Sequence, residues 1–239
     1  MRRLILLFLF VYPGVFFAQA GAQAFGPGSV WNPPGDFIAK AHAACEQSDP
    51  SGIGQCFINE MANAGAPVDA VAFTRALYDE SDGQVGILLA TEKAGPVDMA
   101  RVLYPLRAND NYGLLLLNGD PSILDVDNLK KLDRAGLDQN SFFQAIKQKY
   151  PDTELWPGDR SGSQWPRAVA VPGGGEQIIV SYSLQNGCRA CAHVGLARFA
   201  WNFDASGKFL GTKYVNTPPP PKITQPHHGP PVNPPPPQQ

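Results

Sequence analysis

The sequence predicts an α+β protein in which a helical N-terminal part is followed by an antiparallel sheet. Helix start and stop signals alternate through residues 36–80, and strand-like alternation dominates residues 177–215. An Asn186-Gly187 turn signal divides two of the predicted strands. Hydrophobic residues make up 44% of the 239 residues, which is enough apolar material for one folded domain and excludes wholesale disorder.

Three consecutive helices are predicted in the N-terminal part. Asp36 occupies the N-cap position ahead of an Ala-rich run at residues 37–45. Pro50 follows an Asp and is placed at the first position of a second helix, which is expected to end near Gly65. Pro67 opens the third helix in the same way.

Short apolar runs predict strands in the middle of the chain. Residues 85–90 form one such run, and residues 112–117 form another that ends at a turn signal over residues 118–121. We expect the second run to be a fully buried strand, because it is apolar at every position after its first two residues. Residues 97–104 fit a helix and a strand equally well.

Two shorter helices are expected next. Asp127 is placed to cap a helix over residues 128–135 that is stopped by Gly136. Another helix is predicted from about residue 139 to residue 149, since Pro151 disfavours its continuation.

The C-terminal part of the predicted domain has the clearest strand pattern. A strand over residues 177–184, a second over residues 193–203 and a third over residues 208–215 are separated by turn signals. The odd positions of the second strand are apolar, and they include Trp201. These features predict a three-stranded meander with one aromatic face buried in the core.

The N-terminus has the pattern of a secretory signal peptide. Arg2 and Arg3 precede an apolar run over residues 4–17, which is followed by two Ala-Gln-Ala sites of the kind that a signal peptidase cleaves. The run is shorter than the 20 or so residues that cross a bilayer comfortably. We therefore expect residues 1–24 to be removed and the protein to be exported to the periplasm or the extracellular space.

The mature chain is expected to contain one α+β domain over residues 31–216. Half of the residues after Thr217 are Pro, so residues 217–239 are predicted to form a proline-rich, disordered tail. Nothing after the signal peptide is apolar enough to be an integral membrane segment. The formal net charge of −2 becomes −4 without Arg2 and Arg3, which argues against a nucleic-acid partner.

All four cysteines lie in the mature part of the chain. An even number of cysteines in an exported protein favours disulfides, and four allow three connectivities. The spacing favours the local pairing of Cys45 with Cys56 and of Cys188 with Cys191, while a crossed pairing stays open.

The Cys188-Arg-Ala-Cys191 motif has two competing interpretations. A thiol–disulfide oxidoreductase carries such a motif at a helix N-terminus, where the helix dipole stabilises the thiolate. Here the motif follows a hairpin signal and precedes a strand, which favours a structural disulfide. A metal site built with His193, or with His42 from the first helix, lacks the usual ligand spacing, so no metal is expected.

Residues 151–175 are rich in Gly, Pro and Trp and are expected to form an ordered, irregular loop. Loops on a rigid sheet carry function disproportionately, so this loop is the predicted binding surface. Its aromatic and cationic residues are the candidate binding residues: Trp156, Arg160, Trp165 and Arg167. A calcium site is not expected nearby, since the EF-hand spacing is absent around the following oxygen donors: Asp120, Asp125, Asp127 and Asn128.

These observations favour an exported, non-catalytic binding or interaction protein with a protein or small-molecule ligand and no cofactor. No catalytic signature is present: the chain lacks a Gly-x-Ser-x-Gly nucleophile motif, a Gly-x-Gly-x-x-Gly motif and a phosphate loop. The first alternative is a thiol–disulfide oxidoreductase that uses Cys188 and Cys191. The second is a hydrolase with a carboxylate site that has no sequence signature.

Overall fold

Helices, a four-stranded sheet and a five-stranded sheet are stacked as three layers. The computed structural model describes residues 24–49, 52–108, 111–158, 160 and 164–216. The predicted signal peptide up to residue 23 and the proline-rich tail over residues 217–239 lie outside these ranges. The order of helices and antiparallel sheets confirms the predicted α+β class.

Three N-terminal helices form in the predicted order, but the second begins at Ile53, and Pro50, its predicted first residue, lies outside the described residues. They are α1 (Phe37–Cys45), α2 (Ile53–Asn63) and α3 (Val68–Glu80). Gly65 follows α2 with φ of +80°, a conformation that glycine adopts without strain and that commonly ends a helix. Pro67 immediately precedes α3, where its missing N–H removes no helical hydrogen bond.

The first sheet is an antiparallel meander of four strands. Its order is β1 (Ile87–Ala94), β2 (Val97–Leu103), β3 (Tyr112–Leu117) and β4 (Ile123–Asp125). The leucines of β3 alternate between two layers: Leu114 and Leu116 pack toward the second sheet, whereas Leu115 and Leu117 pack toward α3. Both faces of β3 are therefore buried, and this explains its continuous apolar sequence.

The segment between the sheets differs from the prediction. The expected helix over residues 128–135 is wrong: a single 3-10 turn at Leu129–Lys131 is followed by α4 (Arg134–Asp138) and then by α5 (Ser141–Lys149). Asp133 caps α4 by accepting a hydrogen bond from the Gly136 N–H at 3.0 Å, so Gly136 lies inside that helix rather than ending it.

The second sheet contains five strands. They are β5 (Thr153–Pro157), β6 (Arg167–Ala170), β7 (Glu176–Asn186), β8 (His193–Phe203) and β9 (Phe209–Asn216). The last three form the predicted meander. The prediction of an irregular loop over residues 151–175 is wrong at both ends, because β5 and β6 lie within that range and pair with β7.

The core between the two sheets is centred on the aromatic face of β7 and β8. Trp201 is fully buried, as its alternating position predicts. Its indole N–H donates to the Tyr182 hydroxyl at 3.1 Å, and that hydroxyl donates to the Val126 carbonyl at 2.6 Å. These two hydrogen bonds satisfy the buried indole N–H and hydroxyl groups, which would be costly to bury without partners. They also connect the second sheet to the residue that follows β4.

Candidate functional site

The candidate functional site lies beside one edge of β7, where the pairing with neighbouring strands is interrupted. On that edge, β5 pairs with residues 182–186 of β7 and β6 pairs with residues 176–179. Among the described residues, Val180 and Ser181 have no strand partner on this edge. The gap leaves the Ser181 carbonyl free to accept a hydrogen bond from Arg160, which lies between β5 and β6 in sequence.

Gly158, the residue after β5, lies very close to the backbone of β7. A Cβ atom at this position would lie 2.8 Å from the Ser181 carbonyl oxygen, so only glycine fits without a backbone shift. Pro157 ends β5 immediately before it, and proline is tolerated there because β5 is an edge strand of the sheet.

Arg160 holds the loop to the core. Its Nε and Nη2 atoms donate to the Asp127 Oδ1 atom at 3.0 and 2.8 Å, and its Nη1 atom donates to the unpaired Ser181 carbonyl at 3.2 Å. The Arg160 and Asp127 side chains are only 10% and 8% exposed. The guanidinium charge is thus compensated within the fold, and Arg160 acts by positioning the loop.

The role of Asp127 therefore differs from the expected helix cap. Its carboxylate pairs with Arg160, and its backbone N–H donates to Asp125 Oδ1 at 2.8 Å. Burial raises the pKa of Asp125 to about 6, with a further contribution from the nearby Asp127 carboxylate.

Arg101 comes from β2 and stacks on Trp165 of the loop. The guanidinium carbon lies 4.2 Å from the centroid of the Trp165 ring. The Arg101 Nη2 atom is buried and has no hydrogen-bond partner among the residues that the structure describes. A buried guanidinium donor without an acceptor is costly, which makes Arg101 an unusual residue in this part of the fold.

Arg167 and Arg198 flank β7 on the same face of the second sheet. Arg167 of β6 lies opposite Ile179, and Arg198 of β8 lies opposite Ser181. Ile179 and Ser181 alternate with the core residue Val180, so all four side chains point away from the core. Neither arginine forms an ion pair with a carboxylate of the described ranges.

Together these residues line one cavity of about 800 Å³, which we call the arginine pocket. Its polar and aromatic lining consists mainly of Arg101, Arg160, Trp165, Arg167, Ser181 and Arg198. The described lining residues include four arginines and neither Asp nor Glu. Because Asp127 compensates Arg160, three positive charges face the cavity without a partner in the described part of the chain, and an anion is the complementary ligand.

The structure brings three of the four predicted binding residues together and places the fourth elsewhere. Arg160, Trp165 and Arg167 line the arginine pocket, but Trp156 does not. The Trp156 indole N–H donates to the Gly187 carbonyl at 3.3 Å, and the Arg189 guanidinium lies 5.9 Å from its ring centroid. Trp156, a residue of β5, thus contacts the β7–β8 turn instead of the arginine pocket.

Sequence reasoning missed Arg101 and Arg198. Arg198 occupies an outward position of a correctly predicted strand, opposite Ser181 in the β7–β8 hairpin. The register of that hairpin was the signal that could have placed Arg198 beside the site. Arg101 lies in a segment whose secondary structure the sequence left ambiguous, and its contact with Trp165 joins parts of the chain 64 residues apart.

Both predicted disulfides are present in the local pairing. Cys45 and Cys56 join α1 to α2 with their Cα atoms 5.8 Å apart. Cys188 and Cys191 close the turn between β7 and β8, where the Cys191 N–H donates to the Cys188 carbonyl at 3.0 Å. Both cysteines of this second pair are exposed, and the turn leads into a strand.

In the described part of the chain, no group of three His, Cys, Asp or Glu side chains is placed to hold a metal ion. No helix of the same residues is long and apolar enough to span a bilayer.

No protein-family model matches the chain, and neither a curated protein nor a solved structure shows significant similarity to it.

Proposed function

We propose that this protein is an exported, non-catalytic binding protein of the periplasm or extracellular space that holds an anionic small molecule in the arginine pocket. One observation carries the proposal. Arg101, Arg167 and Arg198 reach one cavity from β2, β6 and β8 without a carboxylate partner in the described residues. Like charges repel, so such an arrangement is favourable when an anion completes it.

The geometry of Arg101 supports recognition of an oxyanion. Arginine presents donors in a planar fork that matches a carboxylate or a phosphate, and an aromatic face beneath the guanidinium fixes its plane. Trp165 supplies that face, and the Nη2 atom is the unused donor. A bound oxyanion in the cavity offsets the positive charge of Arg101, which has no carboxylate partner in the described residues.

The lining residues support binding rather than catalysis. General acid–base catalysis uses groups such as His, Cys, Asp or Glu, and a serine such as Ser181 becomes an effective nucleophile only beside a base of this kind. The described residues around the cavity include no His, Cys, Asp or Glu, and the Asp127 carboxylate is occupied by Arg160. The chemistry on offer is electrostatic attraction and hydrogen-bond donation.

Export is supported by the signal-peptide pattern and by the oxidised cysteines. Disulfides persist in the periplasm and outside the cell, and both cysteine pairs are bonded. The alternative role in thiol–disulfide exchange has less support, because Cys188 and Cys191 lie in a turn between strands. They therefore lack the helix dipole that lowers a thiol pKa.

Calorimetric titration with pyrophosphate at low ionic strength tests the proposal. We expect saturable binding that Arg101→Gln and Arg198→Gln each weaken about tenfold or more, since a charge-assisted hydrogen bond is worth about 1.5–3 kcal/mol. Arg75→Gln is the matched control, because Arg75 is exposed on α3 and lies outside the pocket. Equal weakening in all three variants, or no binding to the parent protein, would refute the proposal.

A further inference from the structure

The outward face of the second sheet carries apolar side chains next to Arg167 and Arg198. On an antiparallel sheet with one solvent-facing side, outward positions are normally polar. Ile179 occupies such a position between Arg167 and Ser181, and Val169 of β6 also lines the cavity. Val215 of β9 is 47% exposed at the rim. The arginine pocket thus combines cationic donors with an apolar floor.

The register gives the spacing between these two features. Arg167 lies directly opposite Ile179 on β7, and Arg198 lies opposite Ser181 two residues further along. Neighbouring strands are about 4.8 Å apart and the two positions are offset by two residues along β7, so the Cα atoms of the two arginines are roughly 12 Å apart. Ile179 lies between them on the same face, which places apolar surface beside both guanidinium groups.

The size of the cavity exceeds what an inorganic oxyanion fills. A volume of about 800 Å³ is within the range of about 300–1,000 Å³ that is typical of sites for organic ligands. Such sites combine a mostly apolar lining with a few polar groups that fix orientation. The apolar residues beside the arginines fit this description, with the guanidinium groups as the orienting donors.

We propose that the ligand is an amphiphilic organic anion: its oxyanion group binds Arg101, Arg167 and Arg198, and its apolar body lies on Val169, Ile179 and Val215. This inference rests on the proposed anion-binding function and specifies its ligand class. A phosphate ester and a carboxylate share the required chemistry, because both present oxygens that accept hydrogen bonds from a guanidinium fork. The apolar body separates this ligand class from inorganic phosphate.

The test compares three probes by calorimetric titration of the full chain: inorganic phosphate, phenyl phosphate and benzoate. Burying a phenyl ring on the apolar floor tightens binding about tenfold or more relative to an inorganic ion with the same head group. We therefore expect phenyl phosphate to bind at least about tenfold more tightly than phosphate. Benzoate binding as tight as that of phenyl phosphate also supports an amphiphilic ligand and identifies a carboxylate as an acceptable head group.

Substitutions on the floor localise the effect. Ile179→Ser and Val169→Ser remove apolar surface from outward positions and are expected to abolish most of the advantage of phenyl phosphate over phosphate. Leu210→Ser is the matched control, because Leu210 is 61% exposed on β9 and does not line the cavity.

The outcomes distinguish the two proposals. Equal affinity for phosphate and phenyl phosphate, or an advantage that survives both floor substitutions, would overturn the amphiphilic ligand and leave anion binding intact. Failure of all three probes, together with failure of pyrophosphate, would overturn both.

Discussion

Removing the charge of Asp125 is expected to stabilise the protein above neutral pH. This carboxyl lies at the end of β4, opposite Leu115, and its Oδ1 atom accepts a hydrogen bond from the Asp127 N–H at 2.8 Å. Burial, and then the negative charge of Asp127, raise the pKa of Asp125 from 3.8 to about 6. Asparagine keeps an acceptor for the Asp127 N–H and carries no charge, so Asp125→Asn isolates the electrostatic effect.

The sign follows from the raised pKa in the folded state. The native protein binds this proton more tightly than the unfolded chain does, so the proton contributes stability below about pH 4. That stability is lost as the pH rises through about 6. The difference of about two pKa units corresponds to about 3 kcal/mol at 1.36 kcal/mol per unit. We expect Asp125→Asn to exceed the parent protein in unfolding free energy by up to this amount at pH 8.

Urea denaturation at pH 4 and pH 8 measures this effect in the parent protein and the variant. The free-energy difference between them should be near zero at pH 4 and large at pH 8, and comparing the two proteins cancels groups that titrate in both. Asp138→Asn is the control, because Asp138 is exposed at the end of α4. A difference that is the same at both pH values, or a variant less stable than the parent at pH 8, would refute the reasoning.

Three further predictions concern the disulfides and the loop. Replacing Cys45 and Cys56 by Ser opens a loop with a sequence separation of 11 residues and should lower the unfolding free energy by about 2–3 kcal/mol in denaturant titrations. Replacing Cys188 and Cys191 by Ala should leave pyrophosphate affinity unchanged, and the parent protein should not catalyse insulin reduction. Turnover lost in that variant would favour the oxidoreductase alternative. Gly158→Ala should displace Arg160 and weaken pyrophosphate binding in calorimetry, because its Cβ meets the Ser181 carbonyl.

Local signals were sufficient for the first three helices, for α5 and for the C-terminal meander. Gly65 and Pro67 bound α2 and α3, whereas Asp36 precedes α1 without a side-chain cap and pairs with Lys40 instead. The alternation of apolar residues in β7 and β8 determines which face is buried. The disulfide pairing also follows from local spacing, since each pair joins neighbouring elements.

The failures concern contacts between distant parts of the chain. β5 and β6 are short, contain Pro or small residues, and exist because β7 offers them an edge. Asp127 is of a residue type that commonly caps helices, but its carboxylate pairs with the buried guanidinium of Arg160 instead.

The sequence predicted only part of the arginine pocket, because the pocket also depends on contacts between distant parts of the chain. Trp165 and Arg167 lie in the segment that composition identified, whereas Arg101 and Arg198 reach the site through strand register and the stacking of two sheets. Neither the gap in the edge of β7 nor the alignment of the sheets has a signature in a single sequence, and these two features bring the arginines together.

Arginine side-chain NMR tests the central claim most directly, because it observes the Nε–Hε group of each proposed contact residue separately. On titration with pyrophosphate, the signals of Arg101, Arg167 and Arg198 should shift along one saturating curve with a shared dissociation constant. The signals of Arg75 and Arg134, which are exposed outside the cavity, should stay in place. Pocket signals that do not move, or that drift without saturation together with those of the two surface arginines, would contradict a specific anion site.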